Sequence, residues 1–212
     1  MRRRSFVKSW VQVALAIGSI VSTTAVRAES APATPLELGI ALGYHQGFGS
    51  VGARVPRLQD LGSEGAALDV DLGWRIDPRW LVGAYVELSL HDGPDVPGTN
   101  QTGLAAGIHG QFHTLPRERY DPWIGLGFGW RGLWADRGFG ARDHALQGMD
   151  LARFQIGLAC RVSDTVRMGP VLGFTVTQFL SEKTPTAAGY RDISDRKIDT
   201  FLYAGLAGRF GL

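Results

Sequence analysis

The chain has 212 residues, 44% hydrophobic and 20% charged, and its single cysteine, Cys160, excludes an intrachain disulfide. The formal net charge of +2 is uneven, because residues 1–28 hold five basic side chains and no acidic one. The remainder carries 17 basic against 20 acidic groups, so nucleic acid is not an implied partner.

In chain order, Arg2, Arg3, Arg4 and Lys8 precede a mostly apolar run, Trp10 to Val21, and Ala28 offers a cleavage site. This reads as a secretory signal over residues 1–28, since a spanning helix needs roughly 20 apolar residues. Arg3-Arg4-Ser5-Phe6-Val7-Lys8 also resembles a twin-arginine export motif, which conflicts with the barrel described next. We read it as an ordinary arginine-rich leader.

After a 29–35 lead-in, eight segments alternate with period two. The first, Leu36 to His45, sets Leu36, Leu38, Ile40, Leu42 and Tyr44 against Glu37, Gly39, Ala41, Gly43 and His45. About twenty loop-like residues follow. The second, Ala67 to Ile76, opposes Leu68, Val70, Leu72 and Trp74 to Asp69, Asp71, Gly73 and Arg75. Asp77-Pro78 then makes a tight turn.

The third segment, Trp80 to His91, places Glu87, Ser89 and His91 on its polar face, and Asp92 to Asn100 is a loop. The fourth, Gly103 to His113, places His109, Gln111 and His113 there. In the fifth, Asp121 to Trp134, Ile124, Leu126, Phe128 and Trp130 oppose Gly125, Gly127, Gly129 and Arg131. Ala135 to Gly148 reads as a loop. The sixth, Ala152 to Val162, turns Arg153 and Arg161 away from Phe154, Ile156 and Leu158. The seventh runs from Val166 to Leu180, with Pro170 suggesting an irregular start. A loop from Ser181 to about Lys197 precedes the eighth, Asp199 to Leu212, whose polar face holds Arg209.

Connections alternate long and short, and each segment has about the 9–11 residues that cross a bilayer as a tilted strand. Trp74, Trp80, Phe112 and Phe210 gather toward the short-turn end. Tyr44, Trp130, Trp134 and Phe154 gather toward the other, as aromatic belts do at lipid–water boundaries. A soluble barrel would turn its polar face outward and dress it with lysine and glutamate. These polar faces carry no lysine, since the chain has only Lys8, Lys183 and Lys197. The expected architecture is therefore all-β: an eight-stranded antiparallel up-and-down transmembrane barrel over residues 36–212, apolar side outward.

On Asp77-Pro78-Arg79-Trp80, Asp121-Pro122-Trp123-Ile124-Gly125-Leu126-Gly127 and the aromatic-ended final strand, the chain resembles the small outer-membrane β-barrel family. That family is typified by the OmpA transmembrane domain and OmpX. The resemblance implies insertion by the outer-membrane assembly machinery. This chain ends Phe210-Gly211-Leu212 rather than on an aromatic residue, and no peptidoglycan-binding domain is expected after the barrel.

The inward charges are Glu37, Asp69, Asp71 and Glu87 against Arg75, Arg131, Arg153, Arg161 and Arg209. Position along the strands puts Glu37, Arg75, Arg161 and Arg209 low, with Asp69, Asp71, Glu87, Arg131 and Arg153 nearer the outside. The expectation is a salt-bridged lumen network, with Glu37 meeting Arg209 or Arg75, because unpaired buried charges are costly. A gated narrow pore is the alternative.

His45, His91, His109 and His113 also point inward. His109 and His113 are about 13 Å apart along one strand, too far to share a metal. His45 and His91 lie on strands separated by another, so hydrogen-bonded histidines rather than a metal site are expected. Ser89 and His91 beside Asp92 hint at a lipid-modifying hydrolase such as a lipid A deacylase, but such a pair must reach lipid and these face inward. The Gly-Leu-Gly-Phe-Gly run lacks the Lys-Ser/Thr and helix of a phosphate loop. Asp136, Arg137, Arg142 and Asp143 read as a solvated external loop.

The expectation is a monomeric, non-enzymatic barrel of the Gram-negative outer membrane with no cofactor. Its partners would be outer-membrane lipid and the assembly machinery, and its role structural or interactional through the external loops.

Overall fold

Strand after strand, the outward side chains are apolar and exposed while the inward ones are polar and buried. On the second strand Leu72 and Trp74 are 49% and 54% exposed, whereas Asp71 and Arg75 are each 7%. A water-facing wall would reverse that order; a hydrocarbon-facing wall requires it.

The computed structural model describes residues 35–52, 55–61, 64–92, 100–136, 144–184 and 189–212. The expected signal peptide and nearly all of the 29–35 lead-in lie outside the described residues. So do 93–99 of the second expected loop and 137–143 of the third, including Arg137, Arg142 and Asp143.

The barrel strands are β1 (Leu36–Phe48), β2 (Glu64–Arg75), β3 (Trp80–Asp92) and β4 (Asn100–His113). They continue as β5 (Tyr120–Asp136), β6 (His144–Arg161), β7 (Val166–Lys183) and β8 (Ile198–Gly211). Each pairs antiparallel with its chain neighbour, and β8 returns to β1 from Glu37↔Gly211 to Phe48↔Thr200, closing the sheet. Closure pairs the backbone hydrogen-bonding groups around the wall, which a lipid-facing sheet needs. Among the described residues no helix is long and apolar enough to cross a membrane.

The short turns follow local chemistry. Asp77 Oδ1 accepts from the Arg79 and Trp80 amides at 2.7 and 2.9 Å, which locks the β2–β3 turn. Next to it, Trp80 packs on Phe112 with ring centroids 4.9 Å apart. At the other end Trp130 and Trp134 lie 6.3 Å apart. Pro170 is the fifth residue of β7 and marks the irregularity expected near its start. Pairing with β6 breaks between Gly157↔Val171 and Cys160↔Met168, where the proline has no N–H to give.

The long-loop end departs from expectation. β5, β6 and β7 have 17, 18 and 18 residues, so Ala135, Asp136 and residues 144–148 belong to strands rather than to a loop. β6 also carries a bulge: Gly127 pairs Arg153 and Gly129 pairs Asp150, leaving Leu151 and Ala152 opposite one residue. The extra residue shifts the alternation by one, so a period-two pattern read back from Arg153 fails at that point. A second shift, between Gln147↔Ser181 and Gly148↔Phe179, carries β7 on to Lys183. Ser181–Lys183 therefore leave the fourth expected loop, and Arg191–Asp192 pair back onto Glu182 and Ser181. In the first, β1 continues to Phe48, a short ribbon joins Ser50–Gly52 to Val55–Arg57, and one helical turn spans Leu58–Leu61.

Candidate functional site in the barrel lumen

Buried charge lies in two groups along the barrel axis. Near the short turns, Arg75 grips Glu37 through two hydrogen bonds, Nε to Oε1 at 2.5 Å and Nη2 to Oε2 at 2.8 Å. Arg209 Nε stands 3.8 Å from Glu37 Oε2, while its Nη2 donates to both Asp71 oxygens at 2.9 and 3.1 Å. His109 Nε2 is 3.4 Å from Asp71 Oδ1. Asp71 thus belongs to the lower group, not the upper one to which its position along the strand assigned it. Gly39 makes the fit possible, since a Cβ there would lie 1.8 Å from Asp71 Oδ2.

Above this runs an unbroken chain, Asp69–Arg153–Glu87–Arg131–Asp150. Arg153 Nη2 bonds Asp69 and its Nη1 reaches Glu87 Oε2 at 2.9 Å. Arg131 Nη1 donates to Glu87 Oε1 at 3.0 Å, and Nε and Nη2 clasp Asp150 at 2.8 and 3.0 Å. Each guanidinium also lies over an aromatic ring, Arg153 over Tyr85 and Arg131 over Phe201, at 4.3 Å from the centroid. Arg131 is fully buried. Such groups are tolerable only because their hydrogen-bonding directions are met, and removing one partner strands the other.

One residue of the expected network falls outside it, and one acid absent from the expectation belongs to it. Arg161 does not join the lumen charges: its Nη2 donates to the Pro116 carbonyl at 3.1 Å, beside Arg167, which does the same at 3.2 Å. As the last residue of β6 it reaches a turn carbonyl at the barrel rim. Asp150 is the missing acid, hidden from pattern reading by the bulge. Its visible signal is the apolar pair Met149 and Leu151 flanking it, out of phase with Phe154. Thr177 Oγ1 also donates to Asp150 Oδ1 at 2.6 Å.

Histidines complete the polar interior. His45 Nδ1 and His91 Nε2 are 2.8 Å apart, and His45 Nε2 is 3.4 Å from Glu87 Oε1. The two rings meet across β2, which corrects the expectation that the intervening strand keeps them apart. At the bottom His113 Nδ1 lies 2.7 Å from Asp121 Oδ2. Ser89 is 1% exposed and its Oγ has no hydrogen-bond partner, so it forms no pair with His91. Among the described residues no group of three or more potential ligands is arranged to hold a metal.

Between the lower charges lies a cavity of about 40 Å³, lined by Asp71, Gln111, His113, Trp123, Arg167 and Arg209. The opposing wall is stripped to Ala41, Ala207 and Gly169, which face one another across β1, β8 and β7. Gln111 Oε1, His113 Nε2 and Arg209 Nη1 have no hydrogen-bond partner in the protein, and Arg167 Nη1 has only an ion pair with Asp121 Oδ2 at 3.7 Å. Size and lining suit two or three waters.

Above the charges the lumen turns apolar. Leu133, Ala135, Leu146, Phe179 and Phe201 from the wall pack with Val51 and Leu58 of the first external loop and Ile193 of the fourth. The interior therefore has a base with a small polar cavity, a salt-bridged waist and an apolar roof.

No protein-family model matches the sequence, and no curated protein matches it either. Among solved structures the chain is similar to Neisserial surface protein A, at TM-score 0.55 and 12% identity over 86% of this chain and 100% of that one. It is also similar to the outer-membrane protein OprG from Pseudomonas aeruginosa, at TM-score 0.48 and 13% identity over 85% and 98% of the two chains. A third is the outer-membrane protein AlkL in lipid bilayers, at TM-score 0.49 and 13% identity over 90% and 98%. The fold is that of the small, closed, eight-stranded outer-membrane barrels.

Proposed function

We propose that the chain is a resident of the outer membrane of Gram-negative type, with a structural or surface-interaction role exercised through its wall and external loops. Residues 1–28 would be the leader removed on export, and the outer-membrane assembly machinery would insert residues 36–212 as a monomer without a cofactor. The observation that carries this reading is the filled interior: a five-residue ion-pair chain across the waist beneath an apolar roof. Such an interior favours a pillar in the bilayer over a conduit, and leaves lipid and the outer surface as the places where this protein meets others.

Two measurements test it. Purified protein in detergent should migrate differently on a gel before and after boiling, because a membrane barrel resists unfolding by surfactant. In planar bilayers it should carry no sustained current; a steady conductance would overturn the filled-pillar reading.

One observation favours a narrow pore as the second reading. Arg153 ties Asp69 to Glu87, so a swing of one side chain would part the waist. In that case Arg153→Gln would raise conductance above wild type. A lipid-modifying activity has less behind it, because Ser89 is buried away from lipid and His91 Nε2 is engaged with His45. Absence of fatty-acid release from a labelled acyl substrate would retire it.

A further inference from the structure

At the short-turn end, arginines stand side by side on neighbouring strands. Arg161 of β6 pairs directly with Arg167 of β7, and Arg167 pairs with Arg209 of β8. Beyond Arg161 the row continues to Arg119, whose carbonyl accepts from the Arg161 amide at 2.9 Å. Directly opposed residues of an antiparallel pair hold their Cβ atoms about 5 Å apart, and like charges there repel. Such a row is costly unless something answers its charge.

The protein answers part of it. Arg209 reaches past Gly39 and gives Nη2 to both oxygens of Asp71. Arg167 stands 3.7 Å from Asp121, and Arg161 and Arg167 both donate Nη2 to a single acceptor, the Pro116 carbonyl. Arg119 is exposed, with its guanidinium over the Tyr120 ring. The buried and half-buried groups at this end are Arg75, Arg161, Arg167 and Arg209 against Glu37, Asp71 and Asp121. One positive charge is left over. Since Arg75 holds Glu37 and Arg209 holds Asp71, the excess falls beside Arg167.

That row borders the cavity at the base of the lumen. Arg167 and Arg209 line it with Gln111 and His113, which are only 3% and 1% exposed. Arg209 Nη1, Gln111 Oε1 and His113 Nε2 have no hydrogen-bond partner in the protein, and Arg167 Nη1 has only the long contact to Asp121. The carboxylates of the lining are already engaged. Asp71 is held by Arg209 and approached by His109, and Asp69 is held by Arg153.

We propose that this cavity is an anion site that takes one ion of halide size between Arg167 Nη1 and Arg209 Nη1. The ion supplies the negative charge that the arginine row lacks, and both guanidiniums meet it with charge-assisted hydrogen bonds. His113 Nδ1 faces Asp121 Oδ2 at 2.7 Å and keeps its proton there, so Nε2 is an acceptor like Gln111 Oε1. A water beside the ion donates to both. At about 40 Å³ the cavity has no room for a sugar acid, so size separates chloride from gluconate.

The test is urea unfolding of the full barrel in lipid vesicles, with sodium chloride replacing sodium gluconate at constant ionic strength. An ion bound by the folded state alone raises the folding equilibrium constant of wild type toward tenfold for each tenfold rise in chloride above its dissociation constant. In Arg167→Gln the constant should stay level. Coincident wild-type curves in the two salts, or an undiminished chloride response in Arg167→Gln, overturn the site. Should that variant not fold, nitrogen NMR of the wild-type guanidiniums decides. Saturable shifts at Arg167 and Arg209 on adding chloride, with Arg131 of the waist unmoved, support the proposal. Shifts that are absent, or that grow without saturating, overturn it.

Discussion

His45 Nδ1 and His91 Nε2 lie 2.8 Å apart although β1 and β3 are not neighbours and β2 runs between them. The position of β2 that faces both is Gly65, paired with His45 on one side and His91 on the other. With no side chain there, the rings close over the backbone. A Cβ at Gly65 would lie 2.8 Å from His91 Cδ2 and 2.0 Å from the Leu90 carbonyl oxygen.

Gly65→Val should therefore separate the rings and strain the β2–β3 ladder, costing about 1–3 kcal/mol of the kind overpacking causes. Urea titration of the protein in lipid vesicles reads the loss. Imidazole nitrogen NMR should show the His45–His91 hydrogen bond gone. If the hydrogen bond persists, Gly65 is not what permits it.

Glu87→Gln would leave Arg131 and Arg153 facing a neutral amide in a dry waist. Removal of one partner from a buried ion pair costs about 3–5 kcal/mol, and here one carboxylate serves two cations. The same titration should place this variant well below Glu118→Gln, a change on the exposed β4–β5 turn. Equal midpoints would mean that the waist charges are not what holds the interior.

Thr177→Val keeps volume and removes the hydroxyl that donates to Asp150. Asp150 retains both bonds from Arg131, so the expected loss is only about 1 kcal/mol. A loss as large as that of Glu87→Gln would show Thr177 to be essential to the network.

Leu126 is 56% exposed on the outer wall of β5. At mid-membrane depth Leu126→Arg should cost about 2–4 kcal/mol of folding into vesicles, whereas Gln178→Arg near the outer rim should cost about 1 kcal/mol or less. Similar costs at both positions would argue against lipid around this belt.

Strand number, strand order, the sidedness of each face and most lumen charges were legible from residues alone. Alternation is a local property, and contact with lipid or with the lumen sorts each face by polarity. The Asp77-Pro78 turn was equally readable, since its hydrogen bonds come from within three residues. Pairing was not. Register sets Asp71 and Arg209 on either side of Gly39, and the bulge at Leu151–Ala152 turns Asp150 inward, out of phase with Arg153. The apolar roof likewise joins Val51, Phe179 and Ile193 from distant parts of the chain. Such contacts depend on how far each strand slides past its neighbour, a quantity set only when the sheet closes on itself.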